Sequence, residues 1–118
     1  MDQNLVETCK AKLVAAKADL LNRYQNHFTE LQERPVGGDE ADQSMTILIE
    51  NHLLATQRRL RFQLLEIESA LLRIQKGTFG ICEETEEPIE RERLLAIPWT
   101  RLSIEGAEIR EANSPKRA

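Results

Sequence analysis

The sequence predicts a mainly α-helical protein: a long antiparallel coiled-coil hairpin, then a small C-terminal head with a degenerate zinc-ribbon pattern and a terminal helix. Three observations predict it. Apolar residues recur every three or four positions through two long stretches, the period of a helix with one buried stripe. The breakers Pro35, Gly37 and Gly38 lie between those stretches, and the remaining Gly and Pro residues lie from Gly77 onward. Aromatic residues make up only 4% of the chain, which leaves Leu and Ile to fill a narrow seam in place of a thick core. The expected division is a hairpin over 1–76 with its tip at 35–44, and a head over 77–118.

In the first stretch Leu5, Cys9, Leu13, Ala16, Leu20, Tyr24, His27 and Leu31 form the stripe, widened by Val6, Leu21 and Phe28. Pro35 ends that helix, because the residue before a proline avoids the helical region. Gly37 and Gly38 then permit the reversal. Asp42 or Ser44 is expected to cap the second helix. Its stripe runs through Met45, Ile49, His52 or Leu53, Thr56, Leu60, Leu64, Ile67, Leu71 and Ile74, with Arg58, Arg59 and Arg61 on the outer face. Gly77 suits the position just past a helix end, with Lys76 favourable beside the negative helix terminus.

Beyond Gly77 the helical period breaks. A short hairpin is expected around Cys82 to Ile89, then a helix from roughly Leu102 to Glu111. Phe79, Ile81, Ile89, Leu94, Leu95, Ile97, Trp99 and Leu102 are the expected head core. Cys9 reads as seam packing and Cys82 as a small buried apolar group. The acidic run Glu83, Glu84, Glu86, Glu87 and Glu90 reads as solvated surface.

Charge narrows the function. The net charge is −4, and residues 77–118 hold nine acids against six bases, so nothing offers the basic patch that a phosphate backbone needs. No direct nucleic-acid binding is expected. No run of about 18 apolar residues points to a membrane span, and the opening residues lack the basic-then-apolar order of a signal peptide. A cytoplasmic location with reduced thiols follows as the expectation. There is no nucleophile with its base and orienter and no phosphate loop, so no enzyme is expected.

The head has an informative spacing. Cys82 and Thr85, then Ser103 and Gly106, occupy the positions of a C-x2-C-x17-C-x2-C ribbon with only one thiol left. Hydroxyls are poor zinc ligands at neutral pH and glycine offers none, so no metal is expected.

The stretch GTFGICEETEEPIERERLLAIP followed by SIEGAEIRE resembles the C-terminal module of the DksA/TraR family of bacterial RNA polymerase regulators. Phe79, Gly80, Cys82, Ile89, Arg93, Leu94, Ala96, Pro98 and Ile104 are in register, whereas Thr85, Ser103 and Gly106 replace three of its four zinc ligands. This is similar to a zinc-lacking subset of the family. The family's tip motif D-x-x-D-x-A falls, without a gap, on Asp39, Asp42 and Ser44. The resemblance implies a transcription regulator, monomeric and without zinc, whose coiled-coil tip enters the secondary channel of RNA polymerase. Asp39 and Asp42 would approach the active centre there and alter promoter-complex stability. Arg59 matches a basic position that some members use for the alarmone ppGpp in the stringent response, with Arg58 and Arg61 as neighbouring contacts. Glu66 and Ala107 stand where the family has lysines, so only a weak ppGpp response is expected. From the residues alone, Asp39 and Asp42 also read as plain turn and cap residues. An adaptor coiled coil with an unrelated partner is the alternative.

Overall fold

The computed structural model describes residues 2–33 and 40–114, and for Leu31, Glu40 and Ala41 the backbone alone. The turn expected at 35–38, Asp39 and the tail at 115–118 lie outside the described residues, as does the Leu31 side chain. Among the described residues four helices follow in order: α1 (Gln3–Gln32), α2 (Glu40–Lys76), α3 (Arg91–Ala96) and α4 (Ile104–Asn113). None of them is long and apolar enough to cross a membrane.

The chain divides into two compact units, Met1–Ala16 with Glu66–Ala118, and Lys17–Leu65. The early turns of α1 therefore cluster with the late turns of α2, and the late turns of α1 with the early turns of α2. That is the antiparallel hairpin the periodicity predicts. In the unit Lys17–Leu65, Leu20 of α1 and Leu53, Leu60 and Leu64 of α2 are buried, all on the expected stripes. The Tyr24 hydroxyl accepts a hydrogen bond from Gln57 Nε2 at 3.2 Å. In the other unit Leu5, Cys9, Leu13, Ile67 and Ala70 are buried.

Several seam expectations are corrected. Leu21 and Phe28 are exposed and do not widen the stripe, because a two-helix seam covers only a narrow strip of each helix. Met45 and Ile49 are exposed as well. Counting eight residues on from Tyr24 and eight back from Gln57 places the last residue of α1, Gln32, opposite Ile49, so Met45 is a full turn beyond it. Helix α2 begins at Glu40, so Asp42 and Ser44 lie inside its first turns and do not cap it.

The end of α2 follows expectation. Gly77 takes φ +79°, its N–H donates to the Ile74 carbonyl at 3.2 Å, and the Thr78 N–H donates to the Arg73 carbonyl at 2.9 Å. This pair of bonds satisfies carbonyls that the helix leaves open. The head then begins with the expected small hairpin. Ile81 and Pro88 form an isolated antiparallel bridge, the Cys82 N–H donates to the Glu87 carbonyl, and the Ile89 N–H donates to the Gly80 carbonyl. Successive residues of extended chain face opposite sides. Gly80 and Cys82 are buried, and Ile81, expected in the core, is 43% exposed.

Helix α3 is an element that the broken periodicity concealed. It buries Leu94 completely, as the head also buries Phe79 and Ile89, and is tied to the first turns of α1. Cys9 Sγ donates to the Leu94 carbonyl at 3.5 Å, Lys12 Nζ donates to the Leu95 carbonyl at 2.8 Å, and Arg91 pairs with Asp2 at 3.0 Å. Asp2 also accepts the Asn4 N–H at the start of α1. Leu95, Ile97 and Leu102 are half-buried, and Trp99 sits exposed on a turn while Pro98 before it is buried. The terminal helix starts at Ile104, two residues later than expected, because Ser103 caps it: Ser103 Oγ accepts the Gly106 N–H at 3.0 Å.

Candidate functional site

Three groups of residues carry the functional expectations. The first is the acidic pair. Asp42 lies in the first turn of α2 with an exposed side chain, where a carboxylate complements the positive end of the helix, and Ser44 is exposed in the same stretch. Asp39 lies outside the described residues.

The second group is the arginine set on α2. All three are exposed, but they do different things. Arg58 and Arg61 line an open cleft of about 160 Å³ with Tyr24, Leu54 and Gln57. Arg59 points elsewhere, with Nη2 3.4 Å from Thr56 Oγ1. A second open cleft, about 380 Å³, is lined by Leu21, Tyr24, Gln25 and Phe28, so Tyr24 borders both. A surface with apolar walls and two guanidinium groups suits a partner bearing apolar and acidic side chains.

The third group is the degenerate ribbon, and here the four spaced positions do converge. Cys82 is 1% exposed. Its sulfur accepts from Ser103 Oγ at 3.4 Å and from the Thr85 N–H at 3.5 Å, and Ser103 Oγ in turn accepts from Gly106. Burial pushes the thiol pKa up, but donation from Ser103 and Thr85 pulls harder, and the thiol is lowered to about 6. A Cβ built on Gly106 would overlap Cys82 Sγ. The sulfur and the Ser103 hydroxyl thus fill the space where a fourth ligand would project. One thiol, two hydroxyls and a glycine without room for a side chain do not fit a zinc ion. Among the described residues, no cluster of three or more His, Cys, Asp or Glu could hold a metal.

The acidic run is not merely solvated. Glu83 and Glu84 pair with Arg110 at 3.7 and 3.0 Å. Both Glu90 oxygens accept the Ile104 N–H at the start of α4, at 3.2 and 3.0 Å. Glu66, at the position where the resemblance expects a lysine, is engaged by Arg101: Nε to Oε2 at 2.9 Å and Nη2 to Oε1 at 3.3 Å. Ala107 is half-buried on α4. Sequence reasoning passed over Arg101 altogether. The available signal was a lone cation between Trp99 and Leu102, in a stretch otherwise read as core.

Comparison with known proteins agrees with this architecture. The family described as prokaryotic dksA/traR C4-type zinc finger matches residues 77–112. The RNA polymerase-binding transcription factor DksA of Caulobacter vibrioides is 34% identical over 112 residues, covering 94% of this chain and 79% of that protein. An uncharacterized protein of Aquifex aeolicus is 40% identical over 125 residues, covering 97% of this chain and 81% of its own length. Among solved structures, transcription factor DksA2 from Pseudomonas aeruginosa superposes with a TM-score of 0.84 at 34% identity, covering 95% of this chain and 87% of that one.

Proposed function

The chain belongs to the DksA/TraR family, and from that premise we propose that it is a transcription regulator that binds RNA polymerase and is not an enzyme. The observation that carries the reading is similarity along nearly the whole chain, 94%, to a relative named for binding RNA polymerase. In this reading the acidic end of the hairpin enters the polymerase secondary channel. Asp39 and Asp42, with Ser44 beside them, act near the active centre as point charges and hydrogen-bond acceptors toward its metal and mobile loops. They perturb the stability of promoter complexes and catalyse nothing. Arg58 and Arg61, lining their cleft with Tyr24, offer a second contact with the polymerase. The protein works as a cytoplasmic monomer and without zinc, which the donor set at 82, 85, 103 and 106 supports. The response to ppGpp is weak, because Glu66 brings a negative charge already paired with Arg101 and position 107 brings no cation.

The test is Asp42→Asn in transcription from a ribosomal RNA promoter with purified polymerase. Asp42→Asn keeps the shape of the side chain and removes its charge. The expected result is loss of the regulatory effect with polymerase binding retained. An unchanged effect would overturn the reading in favour of an adaptor indifferent to charge at this end.

A further inference from the structure

We propose that Arg101 is the positioning residue that holds the two turns of the head, at 82–85 and 103–106, together and against α2, a task that four thiolates and a metal perform in a C4 ribbon. Its main chain joins the turns directly: the Glu83 N–H donates to the Arg101 carbonyl at 2.9 Å. Its guanidinium makes the remaining links. One edge holds Glu66 on α2, Nη1 donates to Glu83 on the first turn at 2.9 Å, and Nη2 also donates to Ser69 on α2 at 2.9 Å. The Arg101 side chain is about one-third exposed and that of Glu66 only 22%. A planar fork with five donors is suited to join three acceptors on two elements, and a lysine ammonium cannot reproduce its geometry.

The surroundings reinforce the assignment. Ser69 Oγ also accepts from Arg73 Nη1 at 2.9 Å, and Arg73 Nη2 donates to the Trp99 and Thr100 carbonyls at 3.3 and 3.4 Å. On the other side, Arg93 Nε donates to the Leu102 carbonyl at 2.8 Å. The residues leading into the second turn are thus held from α2 and from α3, and the Arg101 side chain links both α2 and the first turn, which Ser103 and Arg110 also reach. Without Arg101, Glu66 and Glu83 lose the cation they share. The collapsed cluster of Cys82, Ser103 and Gly106 then keeps its weak sulfur hydrogen bonds, the main-chain bond from Glu83 and the exposed Arg110 pairs, and loses the side-chain tie of the first turn to α2.

The experiment measures how fast N-ethylmaleimide labels Cys82 in the full-length protein, resolved by peptide mass so that buried Cys9 serves as an internal reference. Arg101→Leu should speed Cys82 labelling about ten-fold, the equivalent of about 1.4 kcal/mol, with Cys9 unchanged. Arg101→Lys should fall between, and Glu66→Gln should have less than its full effect once Arg101→Leu is present. In the unsubstituted protein, about 1 M salt, which shortens electrostatic range to roughly 3 Å, should speed Cys82 relative to Cys9. A chelator should change nothing. The salt arm needs no variant, so it decides even if Arg101→Leu fails to fold. Unchanged Cys82 labelling in Arg101→Leu, equal acceleration of both thiols, no effect of salt, or acceleration by a chelator would each overturn the proposal. None of these outcomes depends on polymerase binding.

Discussion

At Gly106 a single methyl group decides between two kinds of site. A Cβ there meets Cys82 Sγ, so Gly106→Ala forces either the sulfur or the first turn of α4 to move. Overpacking of this kind costs about 1–3 kcal/mol, partly offset by up to about 1 kcal/mol of improved helix propensity. Urea unfolding should show net destabilisation in the otherwise native chain, and a neutral or stabilising effect once Cys82→Ala has removed the sulfur. Cys82 itself carries a pH dependence. Its thiol loses a proton near 6 when folded, against an ordinary value of about 8.5 when unfolded. Between those values the unfolded chain holds the extra proton, so this group's contribution makes stability rise with pH through the window and vanishes as pH falls below about 6. Ultraviolet thiolate absorbance should give the lowered titration, and Ser103→Ala should move it up by removing the first donor.

Among the elements, the end of α2 depends on one conformation. Gly77 is left-handed, and a Cβ there would meet nothing within 4 Å. Gly77→Ala therefore isolates the backbone cost, about 1 kcal/mol, to be read as a fall in the urea midpoint with helix content preserved. Helix α4 shows the opposite strategy, fastening its start through side chains: Ser103 takes the Gly106 N–H and Glu90 takes the Ile104 N–H. A negative charge at that end also interacts favourably with the helix dipole. This explains why an acidic stretch borders a ribbon that keeps only one of its four thiols. Its carboxylates serve a helix start and a set of arginines.

For the whole molecule the prediction concerns what holds it folded. Domains built on structural zinc unfold when a chelator removes the ion. Here the thermal midpoint should be indifferent to a chelator, and a zinc titration should show no tight stoichiometric binding. A fall in the midpoint on chelation would return the ribbon positions to metal binding. The two long helices and α4, the seam residues Leu13, Leu20, Leu60, Leu64 and Ile67, and the reversal at Gly77 were legible in the chain, because period and breaker placement are local properties that one sequence displays directly; α3 was not. So was the family register of the head, where residues 77–112 match the family. Tertiary structure alone decided the rest. Leu21, Phe28 and Ile81 face outward because a narrow seam and a two-residue alternation leave them no partner surface. Glu66 meets Arg101 although 35 residues separate them, a pairing that neither residue's neighbours announce. The replaced ligands predict a ribbon that does not close on a metal; only tertiary structure brought its first turn and α2 to Arg101 through ion pairs and hydrogen bonds, because such contacts depend on which side chains folding brings within about 3 Å of each other.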